Sequence, residues 1–207
     1  MRLDCYTLGT YTPGAPYWKQ LFWYFLGEPL VRSHWLPNSF LKVWILRSFG
    51  SKIGQQVRIK PGVRVKFPWR LTVGDYVWIG ENAWLDNLAH ITLESHVCLS
   101  QDVYLCTGNH DWTRPDFQLI TAEIYIEQGS WIAARATIGP GVRVGRGSIL
   151  SLGSVTGRSL QPMTIYAGNP AQPIKKRVIA ASKDLDLDFP AANPNLNTEN
   201  TEMDSPV

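Results

Sequence analysis

The sequence predicts an all-β solenoid, a parallel β-helix of about five coils with a short N-terminal helical cap and one protruding loop. Aliphatic residues recur every six positions, in the sets Ile53, Ile59, Val65; Val73, Ile79, Leu85; and Leu93, Leu99, Leu105. Each set begins 20 residues after the last, and the pattern resumes at Ile126, Ile132, Ile138, Val144 and Leu150. Glycine follows in Ile53-Gly54, Val73-Gly74, Ile79-Gly80, Ile138-Gly139 and Val144-Gly145, and a small or aliphatic residue takes the fifth position, as at Val57, Ala83 and Val103. Six residues at about 100° each do not return to one helix face, so an α-helix is excluded. Period six, in multiples near eighteen, implies three short strands and three tight turns per coil. The aliphatic residue points inward and glycine sits where the backbone turns. Stacked coils then bury one another's apolar faces.

The elements follow in chain order. Residues 1–52 precede the repeats, and within them 17–49 are rich in Trp, Phe and Leu. This stretch reads as one or two short amphipathic helices broken near Pro29 and Pro37. Its first reading is a cap over the first coil, because solenoid ends need covering. Its second is a peripheral membrane contact, since Lys19, Arg32, Lys42 and Arg47 interleave with Trp18, Trp23, Trp35 and Trp44. The longest apolar run near the start, 21–26, is far short of the roughly 20 residues a spanning helix needs. Residues 53–177 carry the repeats. They are interrupted at 111–125, DWTRPDFQLITAEIY, a loop longer than a turn requires and of the kind that carries function or an interface. Residues 178–207 are expected to form a largely disordered acidic tail.

Composition narrows the class further. With 44% hydrophobic and 18% charged residues, the chain is neither a disordered polyampholyte nor a membrane bundle. A net charge of +3 gives no reason to expect nucleic acid as a partner. That total hides four blocks. Residues 1–70 hold eleven basic and two acidic side chains, 71–113 none and six, 114–182 eight and three, and 183–207 one and six. Cys5, Cys98 and Cys106 are odd in number and lack CxxC or zinc-like spacing. A reducing, cytoplasmic setting is the expectation. The start, MRLDCYTLGT, has no charged n-region followed by an apolar stretch, so secretion is not expected.

Three stretches carry a resemblance: FPWRLTVGDYVWIGENAWLDNLAHITL at 67–93, YLCTGNHDWTRPDFQLITAEIYIEQGSWIAARATIGPGVRVG at 104–145, and YAGNPAQPIKKR at 166–177. They resemble the hexapeptide-repeat acyltransferases, which fold as left-handed parallel β-helices. Within these they are similar to the colanic-acid biosynthesis acetyltransferases and to the galactoside and maltose acetyltransferases. The likeness runs from about residue 40 to 177 and is weakest in the cap. TGNHD and AGNP mark the sugar-acetylating branch, whereas the repeats alone would mark only the fold. The resemblance implies an acetyl-CoA-dependent O-acetyltransferase acting on a sugar hydroxyl in exopolysaccharide biosynthesis. It also implies a homotrimer with active sites between subunits.

The family's general base falls on His110. An alcohol is a poor nucleophile towards a thioester, and a neutral imidazole can take its proton near neutral pH, worth roughly 10²–10⁴-fold. Asp111 or a backbone carbonyl would orient the ring, and the sequence does not choose between them. Asp86 and Asn87 interrupt the aliphatic pattern on the preceding coil and are candidates for acceptor hydroxyls, with an Asx turn as the structural alternative. Asn82 and Trp84 are further candidates. For acetyl-CoA the matching positions are Ala134, Leu152 and Gly157, followed by Arg158 and Lys175. Arg135, Arg143, Arg146, Lys176 and Arg177 add positive charge for the cofactor's phosphates. The chain departs from the family at SVTGRSLQPM, 154–163, where relatives carry a lysine-aspartate pair followed by two prolines; the adenine-end contacts are affected.

Other readings remain in view. An amino-sugar or serine acceptor would make the reaction N-acetylation or serine O-acetylation. A non-catalytic solenoid would have no reason to keep a histidine at the loop junction. A zinc lyase like the γ-carbonic anhydrases shares the repeat and would need His90, His96 and His110 on one metal, yet His90 and His96 occupy different hexad positions, so no metal is expected.

Overall fold

The structure, a computed structural model, describes residues 1–179. The expected acidic tail therefore lies, from residue 180 on, outside the described residues. The first coil contributes β1 (Lys52–Ile53), β2 (Arg58–Ile59) and β3 (Arg64–Val65). The second contributes β4 (Leu71–Val73), β5 (Trp78–Ile79) and β6 (Trp84–Asp86), and the third β7 (Ile91–Leu93), β8 (Cys98–Leu99) and β9 (Tyr104–Cys106). An antiparallel hairpin, β10 (Gly108–His110) and β11 (Leu119–Thr121), then leaves the stack. The fourth coil holds β12 (Ile124–Ile126), β13 (Trp131–Ile132) and β14 (Thr137–Ile138), and the fifth β15 (Arg143–Val144), β16 (Ile149–Leu150) and β17 (Val155–Thr156). A partial sixth turn bridges Leu160 to Val144 and ends in β18 (Thr164–Gly168) and β19 (Ala171–Lys176), paired antiparallel.

Each coil gives one strand to each of three sheets, ordered β1-β4-β7-β12-β15, β2-β5-β8-β13-β16-β18-β19 and β3-β6-β9-β14-β17. The six-residue aliphatics stack in register, as in Ile59 on Ile79 on Leu99 on Ile132 on Leu150, and form one buried column per sheet. Parallel pairing across this column satisfies the backbone within the stack. The glycines have a steric reason. A Cβ at Gly80 would lie 2.5 Å from the Ser100 carbonyl carbon, because the next coil's turn passes directly over it.

Before the coils, residues 1–16 run as a strap with a short 3-10 turn at Leu3–Cys5, followed by α1 (Tyr17–Phe22), a wide helical turn at Trp23–Gly27, and α2 (Glu28–Arg32). The break expected at Pro29 does not occur. Proline sits in the first turn of α2, and the wide turn before it lets the helical run continue. The run stops at Ser33, and α3 (Ser39–Ser48) begins after Pro37 with the Asn38 side chain accepting from the Phe40 N–H at 2.8 Å. Trp23, Gly27 and Val31 face inward, joined by Val43, Ile45 and Leu46 from α3. The Trp23 indole N–H donates to the Val65 carbonyl at 3.0 Å. Lys42, fully buried, donates through Nζ to the Lys60 carbonyl at 3.1 Å, and burial lowers its pKa. No helix among the described residues is long and apolar enough to cross a membrane.

Candidate active site

His110 ends β10 and stands opposite Leu119 on β11. Its ring stacks on Phe117, with centroids 4.2 Å apart and planes 4° from parallel. Phe117 adopts a left-handed backbone (φ 46°), and its carbonyl lies 3.0 Å from His110 Nδ1. A carbonyl can only accept, so Nδ1 carries the proton and the neutral ring presents Nε2 as its lone pair. Of the two orienting groups considered from sequence, the backbone carbonyl fills the role. Asp111 is spent on the loop, where Oδ1 accepts from the Thr113 N–H (3.0 Å) and hydroxyl (2.6 Å).

The strap builds the next wall. The Arg2 N–H donates to the Pro115 carbonyl (2.8 Å) and the Leu119 N–H to the Thr7 carbonyl (3.3 Å), which brings Tyr6 to 5.9 Å from the His110 ring. Further on, the Trp69 indole N–H donates to the Pro13 carbonyl (2.7 Å), and Arg70 donates to the Thr12 carbonyl. The Arg70 guanidinium also lies 5.2 Å from the Tyr11 ring centroid. Burial raises the Tyr11 pKa, the Arg70 guanidinium opposes the rise, and the negative charge of Asp86 adds to it. No periodicity or motif announces the strap, so sequence reasoning missed it.

Asp86 is the outward residue that ends β6, and it is buried. It accepts from the Tyr104 hydroxyl at 3.1 Å, and Lys66 Nζ stands 3.0 Å from Oδ1. Burial, then Cys106 and Asp86, raises the Tyr104 pKa and keeps the phenol protonated. Trp84 lies between the Arg64 guanidinium (4.3 Å) and the Tyr104 ring (4.7 Å), as the strand register requires. Two buried side-chain atoms, the Tyr11 hydroxyl and Arg64 Nε, lack a hydrogen-bond partner among the described residues, and Asp86 Oδ1 has its ion pair with Lys66 alone. Each such group is costly unless a ligand or water completes it. All three belong to this one neighbourhood.

Other candidates are placed elsewhere. Asn87 is fully buried, accepts from the Phe67 N–H (2.9 Å), and donates to the carbonyls of Phe67 (2.7 Å) and Arg70 (3.0 Å). It is a clamp between coils rather than a group facing an acceptor. Asn82 occupies an exposed corner in the left-handed conformation (φ 58°). His90 Nε2 is 2.9 Å from the Thr72 hydroxyl and its pKa is lowered by burial, while His96 stacks on Tyr76; neither joins His110.

Among the cofactor candidates, Ala134 and Leu152 meet at one corner, where the Gly153 N–H donates to the Ala134 carbonyl at 2.9 Å. Gly157 and Arg158 lie at the other end of β17. Lys175 pairs with Ile165 on the edge of the second sheet, away from that corner. Arg143 pairs with Glu127 at 2.6 Å, and Arg177 donates to the carbonyls of Gly129 and Gly147, so both have structural work.

WcaF of Escherichia coli strain K12, which is named as a colanic acid biosynthesis acetyltransferase, is 37% identical over 164 residues, or 77% of this chain and 87% of the relative. The chain belongs to the WcaF family of hexapeptide-repeat acetyltransferases. Solved structures show that family's fold. A maltose O-acetyltransferase from Clostridium difficile 630 superposes with a TM-score of 0.67 at 20% identity, covering 78% of this chain and 87% of that one. A galactoside acetyltransferase in complex with coenzyme A gives 0.68 at 20% identity, covering 76% and 80%. A hexapeptide-repeat acetyltransferase from Vibrio cholerae, complexed with acetyl coenzyme A, gives 0.66 at 22% identity, covering 78% and 84%. No protein-family model matches this WcaF-family chain.

Proposed function

We propose that this acetyltransferase moves an acetyl group from acetyl-CoA to a hydroxyl of a saccharide in exopolysaccharide biosynthesis, with His110 as general base. The observation that carries the reading is the Phe117 carbonyl on His110 Nδ1, which leaves Nε2 to accept the hydroxyl proton. Acetyl-CoA, when bound, supplies an acetyl thioester as the group to be transferred. The chain's own residues do the rest. Asp86, whose Oδ1 meets Lys66 alone, and the Tyr11 hydroxyl are suited to hold sugar hydroxyls beside the base, while Tyr6 and Phe117 keep water from the imidazole.

The corner at Ala134 and Leu152 fits the cofactor's pantetheine arm. Leu152 is 71% exposed, and a Cβ added at Gly153 would meet nothing within 4 Å, so a narrow chain could lie there against the backbone; Gly157, at the other end of β17, is equally open. Arg158 and Lys175, both exposed, are candidates for its phosphates. A homotrimer with sites between subunits is supported by the exposed Trp78 and Trp131 on the second sheet. A cytoplasmic placement at the membrane's inner face is supported by three free cysteines and the exposed aromatics of the cap.

His110→Ala tests the mechanism. The variant should keep its fold and its coenzyme A binding while thiol release on acceptor addition falls about 10²–10⁴-fold. Near-normal turnover would remove His110 as the base.

A further inference from the structure

The coils hold their acidic side chains in two ways. Asp75, Glu94 and Glu127 accept from main-chain N–H groups of a neighbouring coil, those of Gln55 (2.6 Å), Gln128 (2.8 Å) and Arg146 (2.7 Å). They serve the ladder. Asp86 does not. Both of its carboxylate partners are side chains, Tyr104 through its hydroxyl at 3.1 Å and Lys66 through Nζ at 3.0 Å. A buried carboxylate that supports no backbone group needs another reason to be there.

What fixes Asp86 can be read bond by bond. Its carbonyl accepts twice from Thr107, from the N–H at 3.2 Å and from the hydroxyl at 2.9 Å. Thr107 is fully buried and stands just before β10, which ends at His110. The Asp86 backbone and the proposed base therefore share an anchor, and only the direction of the carboxylate is left to set. Its two partners are unequal holders. Lys66 is a flexible side chain 41% exposed, where an ion pair is screened and contributes little. Tyr104 is rigid. Its ring stacks on Trp84 at 4.7 Å, Trp84 lies under the Arg64 guanidinium at 4.3 Å, and the register of β3, β6 and β9 sets the three in one row. Burial raises the Tyr104 pKa, and Cys106 and Asp86 add to the rise, so the hydroxyl keeps its proton and acts as a fixed donor rather than a relay. The charge of Asp86 is felt at Tyr11, and Tyr6 of the same strap faces the His110 ring.

Resting on the saccharide acetyl-transfer reading, we propose that Tyr104 is a positioning residue that acts through Asp86 and selects which ring hydroxyl of the acceptor meets His110 Nε2. Neighbouring hydroxyls of a sugar ring are separated by a small turn of the whole ring. An acceptor held by a carboxylate that can swing would offer His110 more than one of them, and each in poorer alignment.

Tyr104→Phe removes the hydroxyl and keeps the ring on Trp84. Wild type and variant are assayed by thiol release from acetyl-CoA with the methyl glycosides of glucose, galactose, mannose and N-acetylglucosamine, and the acetylated positions are read by proton NMR. With the glycoside that wild type acetylates fastest, the variant should raise KM about tenfold while kcat falls less than about threefold. Its product should spread from one hydroxyl to two or more. In an Asp86→Ala background the same substitution should change kcat/KM less than about twofold, because the two side chains act as one unit. A lowered urea midpoint with unchanged KM and product would make Tyr104 a tie between coils and overturn the proposal. So would a tenfold effect retained without the Asp86 carboxylate, which would put Tyr104 on the sugar itself. Thiol release by wild type with none of the glycosides would sink the saccharide reading, whereas wild-type kinetics and product in Tyr104→Phe would sink the positioning role alone.

Discussion

The two ends of the solenoid close the same kind of opening with different surfaces. At the C-terminal end, β18 buries Thr164 and Tyr166 against the last coil, while β19 shows Gln172, Lys175 and Lys176 to solvent. At the N-terminal end, Trp23, Gly27 and Val31 do the burying, and Trp18, Phe22, Phe25 and Leu26 remain outside. Both ends close with one inner stripe. Closure therefore does not explain the outer aromatics at one end, and exposed apolar surface of that extent marks an interaction site.

This contrast can be broken at its inner side first. Leu46→Ala removes a fully buried side chain beneath the cap and should cost about 2–5 kcal/mol, read as a lower urea midpoint. Asn87→Ala should come next. It strands one N–H and two carbonyls of the 67–70 turn and should cost about 1–3 kcal/mol, with coenzyme A affinity unchanged. Phe22→Ser, on the outer side, should change stability by no more than about 0.5 kcal/mol. A loss of about 2 kcal/mol there would make the outer face structural and erase the difference between the ends.

The coils were legible because each residue's neighbour is fixed by a constant offset. Ile59, Ile79 and Leu99 share a burial fate since 20 residues return the chain to the same corner. That same offset could have assigned Asn87. Its partner Phe67 lies 20 positions back, and Asp75 likewise accepts from the Gln55 N–H at 2.6 Å across one coil. Polar residues at corners can serve the ladder as readily as a ligand. The site was legible only in part. His110 stands out as a candidate by its place at the repeat break and by the family resemblance, but which group orients it was not legible, because the Phe117 carbonyl reaches the ring only through the loop's left-handed turn. Tyr6 and Tyr11 stayed hidden for a related reason. The strap is held by carbonyls of unrelated residues, and no spacing encodes those contacts.

The strap also bears on the order in which the molecule is assembled. Neighbouring coils meet across about 20 positions, whereas Thr7 and Asp116 are 109 apart and Arg70 and Thr12 are 58 apart. Residues made first must wait for the third coil and its hairpin before they find their partners, at a larger loop-closure entropy than the contacts between neighbouring coils. The wall beside His110 therefore rests on contacts far longer in sequence than those between neighbouring coils. Its holding bonds are separate from the columns of buried aliphatics, so removing the strap would leave the packing between coils untouched.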